Sequence, residues 1–128
     1  MWKPYNPNPE GRMVGDCTIR AITKATGKSW EEVYAGVVLD GFLLSDMPTA
    51  NAVWGAYLKR NGFKRFLIDE DAPINYTVAD FASDNPIGTY ILALSGHVVT
   101  VVDGDWYDTW DSGKELPIYY WVGVQNNV

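Results

Sequence analysis

The sequence predicts an α+β domain in which N-terminal helices pack on a C-terminal antiparallel sheet. Three observations carry that expectation. Amphipathic segments with recognisable caps fill the first half of the chain, from Asp16 to Gly62. Short β-prone runs crowd the second half, and successive strands without intervening helices favour antiparallel pairing. Between two of those runs stands Asp103-Gly104, the dipeptide best suited to a type I′ hairpin turn, whose two central residues both need φ > 0.

The elements follow in order. Residues 1–15 carry Pro4, Pro7 and Pro9 with Gly11 and Gly15, which predicts an extended arm and no regular element. Asp16 is the expected N-cap of a helix over Cys17 to Thr26, with Ile19, Ala21, Ile22 and Ala25 on its apolar side and Gly27 as its stop. Ser29 and Glu32 form a capping box for a second helix that buries Trp30, Val33, Tyr34, Val37 and Val38 and ends near Gly41. A third helix is expected from about Thr49, spaced by Val53, Trp54, Tyr57 and Leu58, with Gly62 as its C-terminal signal. Phe63 to Ile68 reads as a strand, and Asp69-Glu70-Asp71 as a solvated turn. Thr77 and Asp80 cap a short helix that buries Phe81 and closes at Asn85-Pro86. Strands then follow at Thr89 to Leu94, 97–102, 105–110 and Ile118 to Val122.

Composition narrows the function classes. A chain of 128 residues, 47% of them hydrophobic, forms one domain, residues 1–128, with a core of its own. No apolar run approaches the ~20 residues needed to cross a bilayer, so no membrane role is expected and the cytoplasm is the expected location. Net charge is −6, and the basic residues are scattered; nucleic-acid binding, which draws on clustered Lys and Arg, is not expected. One cysteine and one histidine cannot complete a structural zinc site, and neither a metal nor a cofactor is expected. The sequence assigns no oligomeric state.

The chemistry concentrates at two places. Cys17 falls at the first position of its helix, where free N–H groups and the macrodipole favour a thiolate, the attacking form of sulfur. His97 heads an apolar strand, and a cluster of aspartates follows on the next. If Asp103 and Gly104 are the whole loop, Val99 faces Asp108 and His97 faces Trp110, and Asp108 becomes the diagonal neighbour of the imidazole, about 7–8 Å away between backbones. His97, Val99, Val101, Trp106, Asp108 and Trp110 then share one face. A three-residue loop would slip the register and bring Asp111 or Asp105 there instead. A histidine oriented by a carboxylate lacks only a nucleophile.

The segments GDCTIRA at 15–21, GHVVTVVDG at 96–104 and DTW at 108–110, with helices ahead of a terminal sheet, resemble the papain-like cysteine peptidase superfamily in its compact bacterial and phage forms, similar to bacteriocin-processing peptidases. The resemblance implies a papain-like fold, Cys17 as nucleophile, His97 as base and then acid, Asp108 as orienter of the imidazole, and Trp110 as its shield. Trp106 and Trp110, with the N-terminal arm, are the expected substrate-binding walls. The family commonly places a Gln about six residues ahead of the Cys as oxyanion donor; Gly11 stands there in this chain, and Asn8 is the leading substitute, ahead of Asn6 and Arg12. The expected function is a small cysteine peptidase or amidase acting on peptide or isopeptide bonds of a peptide or protein. The alternative is a catalytically silent papain-like domain that binds a peptide or a partner protein. Transfer to an amine in place of water would use the same three residues.

Overall fold

A computed structural model describes residues 1–123. The elements run β1 (Trp2–Pro4), α1 (Cys17–Thr26), α2 (Trp30–Leu44), α3 (Asn51–Arg60), β2 (Phe63–Leu67), α4 (Val78–Asp84), β3 (Thr89–Leu94), β4 (His97–Val102), β5 (Asp105–Asp108) and β6 (Tyr119–Gly123). They build one six-stranded sheet in the order β1-β5-β4-β3-β6-β2. The fold is therefore α+β, as the segregated helix and strand signals indicate. Strand alternation creates two apolar faces. One carries Ile91, Ala93, Val98 and Trp121 against α1, α2 and α3, where Ile22, Val33, Val53, Trp54 and Leu58 lie fully buried or nearly so. The other carries Leu92, Leu94, Val99 and Val101 against Val78, Phe81 and Ala82 of α4.

The turn at 103–104 has two residues. Asp103 and Gly104 have φ of 49° and 84°, and β4 pairs with β5 as Val102↔Asp105, Val101↔Trp106 and Thr100↔Tyr107. This is the pairing that the two-residue loop demands. Asp103 further fixes the hairpin by accepting from the Gly88 N–H through Oδ1, at 2.8 Å.

Four details differ from the sequence expectation. The arm is not wholly irregular: Trp2–Pro4 adds a strand parallel to β5, so the sheet is mixed. Pro4 is tolerated there because β1 is the sheet edge, where a missing N–H costs no ladder bond. Helix α2 runs through Gly41 to Leu44 and is ended by Ser45 in the left-handed region; glycine at position 41 serves close packing inside the helix, since an added side chain would strike the Asp46 carbonyl, 2.9 Å from its Cβ position. Strand β5 stops at Asp108, two residues early, which frees Trp110 from the ladder. Helix α4 packs on the face opposite the other three.

Candidate active site

Cys17 is the first residue of α1 and is half-buried. The preceding Asp16 does not cap the helix, against expectation: its backbone sits at φ −111°, ψ 25° and its side chain takes no helix N–H. Both carboxylate oxygens are already engaged, Oδ1 by the Arg20 guanidinium at 2.6 Å and Oδ2 by the Trp30 indole N–H at 2.9 Å. An ion pair one helical turn away outcompetes a capping bond, since charge-assisted hydrogen bonds are roughly twice as strong as neutral ones. The first-turn N–H groups, which have no partner within a helix, thus remain without a side-chain cap next to the thiol.

His97 and Asp108 are terminal residues of their strands, beyond the strict alternation that directs Val98 toward α1 and Val99 toward α4. There the imidazole Nε2 lies 2.6 Å from Asp108 Oδ2, and the ring lines the same cleft as the Cys17 thiol, near enough for each to shift the proton affinity of the other. With Nε2 on the carboxylate, Nδ1 is the nitrogen left for sulfur. Asp108 is fully buried and saturated. Besides His97 it accepts from Ser112 Oγ at 2.7 Å, the Thr109 N–H at 2.8 Å and Arg20 Nη2 at 3.0 Å. Pro4 pairs with it across the sheet edge, and its carbonyl receives the Trp2 indole N–H at 3.0 Å. A continuous hydrogen-bonded chain therefore joins Trp30, Asp16, Arg20, Asp108 and His97, with the Cys17 thiol beside its last member.

The electrostatics follow from those contacts. Burial alone would raise the Cys17 pKa, but the hydrogen bond to His97, the charge of that ring, the Val98 backbone and the Arg20 charge together lower it. Burial would lower that of His97, yet bonding to Asp108 and Cys17 and their negative charge push it up to about 9. Burial likewise opposes ionisation of Asp108, and His97, Ser112 and Arg20 overcome it, holding the carboxyl below its ordinary range. All three directions favour a thiolate–imidazolium pair beside a carboxylate.

The site opens into a cleft of about 610 Å³, bounded by Gly15, Cys17, Thr49, Trp54, His97 and Trp110, a size suited to a small ligand or a peptide segment. Trp110 lies 4.9 Å from the imidazole between ring centroids, tilted by 44°, and covers one side of it. Trp106 does not line the cleft. Its indole donates to Asp111 Oδ1 at 2.8 Å and its ring packs with the α4 cluster. The shared face expected for the two tryptophans fails because β5 ends between them. Asn8 does not line the cleft either: its Oδ1 is spent on the N–H groups of Glu10 and Arg12. Asn6 donates to the Arg12 carbonyl. A side-chain amide that does line the cleft is that of Asn51, whose Oδ1 receives the Trp54 indole N–H at 3.1 Å.

Two members of the site escaped the sequence reading. Arg20 carried a legible signal, its i,i+4 spacing from Asp16, but nothing local announces its second bond to a residue 88 positions away. Ser112 left no signal beyond its nearness to Asp108. Among the described residues no group of three or more His, Cys, Asp and Glu side chains has metal-binding geometry, and no helix is long and apolar enough to cross a membrane. Comparisons with protein-family models, curated proteins and solved structures gave no match.

Proposed function

We propose that this protein is a small cysteine peptidase or amidase of the papain-like kind, with Cys17, His97 and Asp108 as its triad. The observation that carries the reading is one imidazole held by a buried carboxylate at 2.6 Å through Nε2, with the only thiol of the chain beside it in the same cleft. The chain order of nucleophile helix, histidine strand and carboxylate strand supports the papain-like assignment. In the reaction, the Cys17 thiolate attacks an amide carbonyl and its sulfur–carbon bond forms as the carbonyl electrons move to oxygen. The oxyanion develops beside the uncapped start of α1, where backbone N–H groups and the helix dipole favour negative charge. The imidazolium of His97 protonates the departing nitrogen as the C–N bond breaks. It then takes a proton from the water that hydrolyses the thioester. Asp108 remains ionised throughout and fixes the ring. The substrate is a peptide or protein, and a working thiolate suits a reducing compartment such as the cytoplasm.

The test is the rate of Cys17 alkylation by iodoacetamide at pH 6, where an unperturbed thiol is almost wholly protonated. An activated site reacts well over tenfold faster than free cysteine, since thiolate fraction sets the rate, and His97→Ala removes the excess. A wild-type rate equal to that of free cysteine, or one indifferent to His97→Ala, refutes the reading and leaves the silent binding domain.

A further inference from the structure

Helix α2 is apolar on both of its sides. The inner side, with Val33 and Val37, belongs to the core. The outer side carries Val38, Leu39, Phe42 and Leu43, of which the last three are 53%, 79% and 68% exposed. A surface helix ordinarily turns polar residues outward, and one that is hydrophobic all round is covered on both sides. Tyr34 and Met47, exposed as well, adjoin Val38 around one hollow. Together these six side chains leave an apolar patch on the order of 600 Å² bare, the upper end of what a monomer leaves in contact with water.

The charges along this stretch point to what covers it. Residues 30–48 hold Glu31, Glu32, Asp40 and Asp46 and no Lys or Arg, whereas a helix that lies on a lipid surface carries Lys and Arg beside its apolar face. A basic partner would be met by outward carboxylates. Yet Asp40, the one carboxylate within the apolar run, is turned inward, buried and paired with Arg60 at 2.6 Å. In a two-fold interface the same patch stands on both sides, so a charge at its centre meets its own like. A chain of net charge −6 therefore pairs with itself best across a face cleared of charge, and two such patches together exceed the roughly 1,000 Å² that a specific interface needs. We propose that the outer face of α2 is the interface of a two-fold homodimer, in which α2 packs antiparallel on α2 of a second copy. That direction keeps Glu31 and Glu32 of the two copies at opposite ends. It also lets the rows Val38–Phe42 and Leu39–Leu43, each spaced i,i+4, interdigitate with their counterparts. The proposal is independent of the peptidase reading, since the face holds no residue of the triad.

The experiment is sedimentation equilibrium of the full chain from about 1 μM to about 100 μM, a span that brackets modest self-affinities. The wild type reaches twice the 14.3 kDa of one chain. Phe42→Ala removes two rings from each dimer and weakens self-association by about a hundredfold or more, and Leu43→Ala repeats the test at a second position. Phe42→Asp leaves only monomer, with the helical circular dichroism of the wild type because the position is exposed. Leu116→Asp, at an exposed apolar position outside α2, leaves the dimer intact. A wild type that stays monomeric throughout overturns the proposal, and so does a dimer that survives all three substitutions in α2 or that Leu116→Asp dissolves equally. Monomer that instead sediments with vesicles of phosphatidylcholine and phosphatidylserine overturns it too, and assigns the face to lipid.

Discussion

Replacing Arg20 with methionine isolates the buried ion network from the rest of the fold. Met matches the stem of the side chain in length and apolar character, so the lost packing is small and the lost charge dominates. Arg20 is 4% exposed and bridges Asp16 at 2.6 Å to Asp108 at 3.0 Å. Removing it leaves two carboxylates, 7% and 0% exposed, without their shared cation. Asp108 retains His97, Ser112 and the Thr109 N–H; Asp16 retains only the Trp30 indole, so the cost falls mainly there. Orphaning one member of a buried pair typically costs about 3–5 kcal/mol, a large fraction of the roughly 5–15 kcal/mol that holds a domain folded. Urea unfolding monitored by tryptophan fluorescence should register that loss, with Tm lower by about 10–20 °C. Adding Asp16→Asn to Arg20→Met removes the more poorly satisfied orphan and should recover about 1–2 kcal/mol, in the range of coupling between groups of one network. The reasoning is refuted if Arg20→Met costs less than about 1 kcal/mol, as an exposed pair would, or if the double variant is no more stable than the single.

Further outcomes follow from the same geometry. Asp108→Ala should slow iodoacetamide alkylation at pH 6 by about tenfold or more through loss of the imidazolium's partner, whereas Asp111→Ala, whose carboxylate bonds Trp106 and Gly113 away from the cleft, should leave the rate unchanged; the reverse pattern would mean that Asp111 orients His97. The His97 ring protons, followed by NMR, should titrate with a midpoint near 9. Because that folded value lies above the ordinary 6.5, the stabilisation from the protonated ring is complete below about pH 6.5 and is lost as pH rises through about 9. A midpoint at or below 6.5 would show that neither Asp108 nor Cys17 holds the proton. Gly104→Ala should destabilise the protein by about 1–2 kcal/mol through left-handed strain alone. Its φ is +84° and its nearest non-neighbour atom, the Ala82 carbonyl oxygen, would sit 3.6 Å from the added Cβ, so denaturant unfolding that shows no change would point to a turn other than type I′.

By itself the sequence determined whatever depends on local conformation and period. Asp103-Gly104 dictated a two-residue turn, because few dipeptides take two positive φ values in succession, and that turn set the β4–β5 register; the meeting of Asp108 with His97 was decided beyond that ladder, at the strand ends. The Ser29–Glu32 signal and the apolar spacing around Trp54 marked helices for the same reason: caps and 3.6-residue periods are written in neighbouring residues. Tertiary structure decided what depends on partners distant in the chain. The Asp16 side chain looked like a cap and instead accepts from Arg20, a partner one helical turn away; only the fold brings Asp108 to the same guanidinium and the Trp30 indole to the second carboxylate oxygen of Asp16. Trp106 and Trp110 matched in the alternation and separated at the strand end. Trp2–Pro4 joined the sheet because β5 offered an unpaired edge, and Asn8 folded back onto its own arm instead of reaching the cleft. Local steric and periodic rules act within a few residues. Buried charge, by contrast, is compensated by whatever group packing delivers, and no neighbouring residue reveals which group that will be.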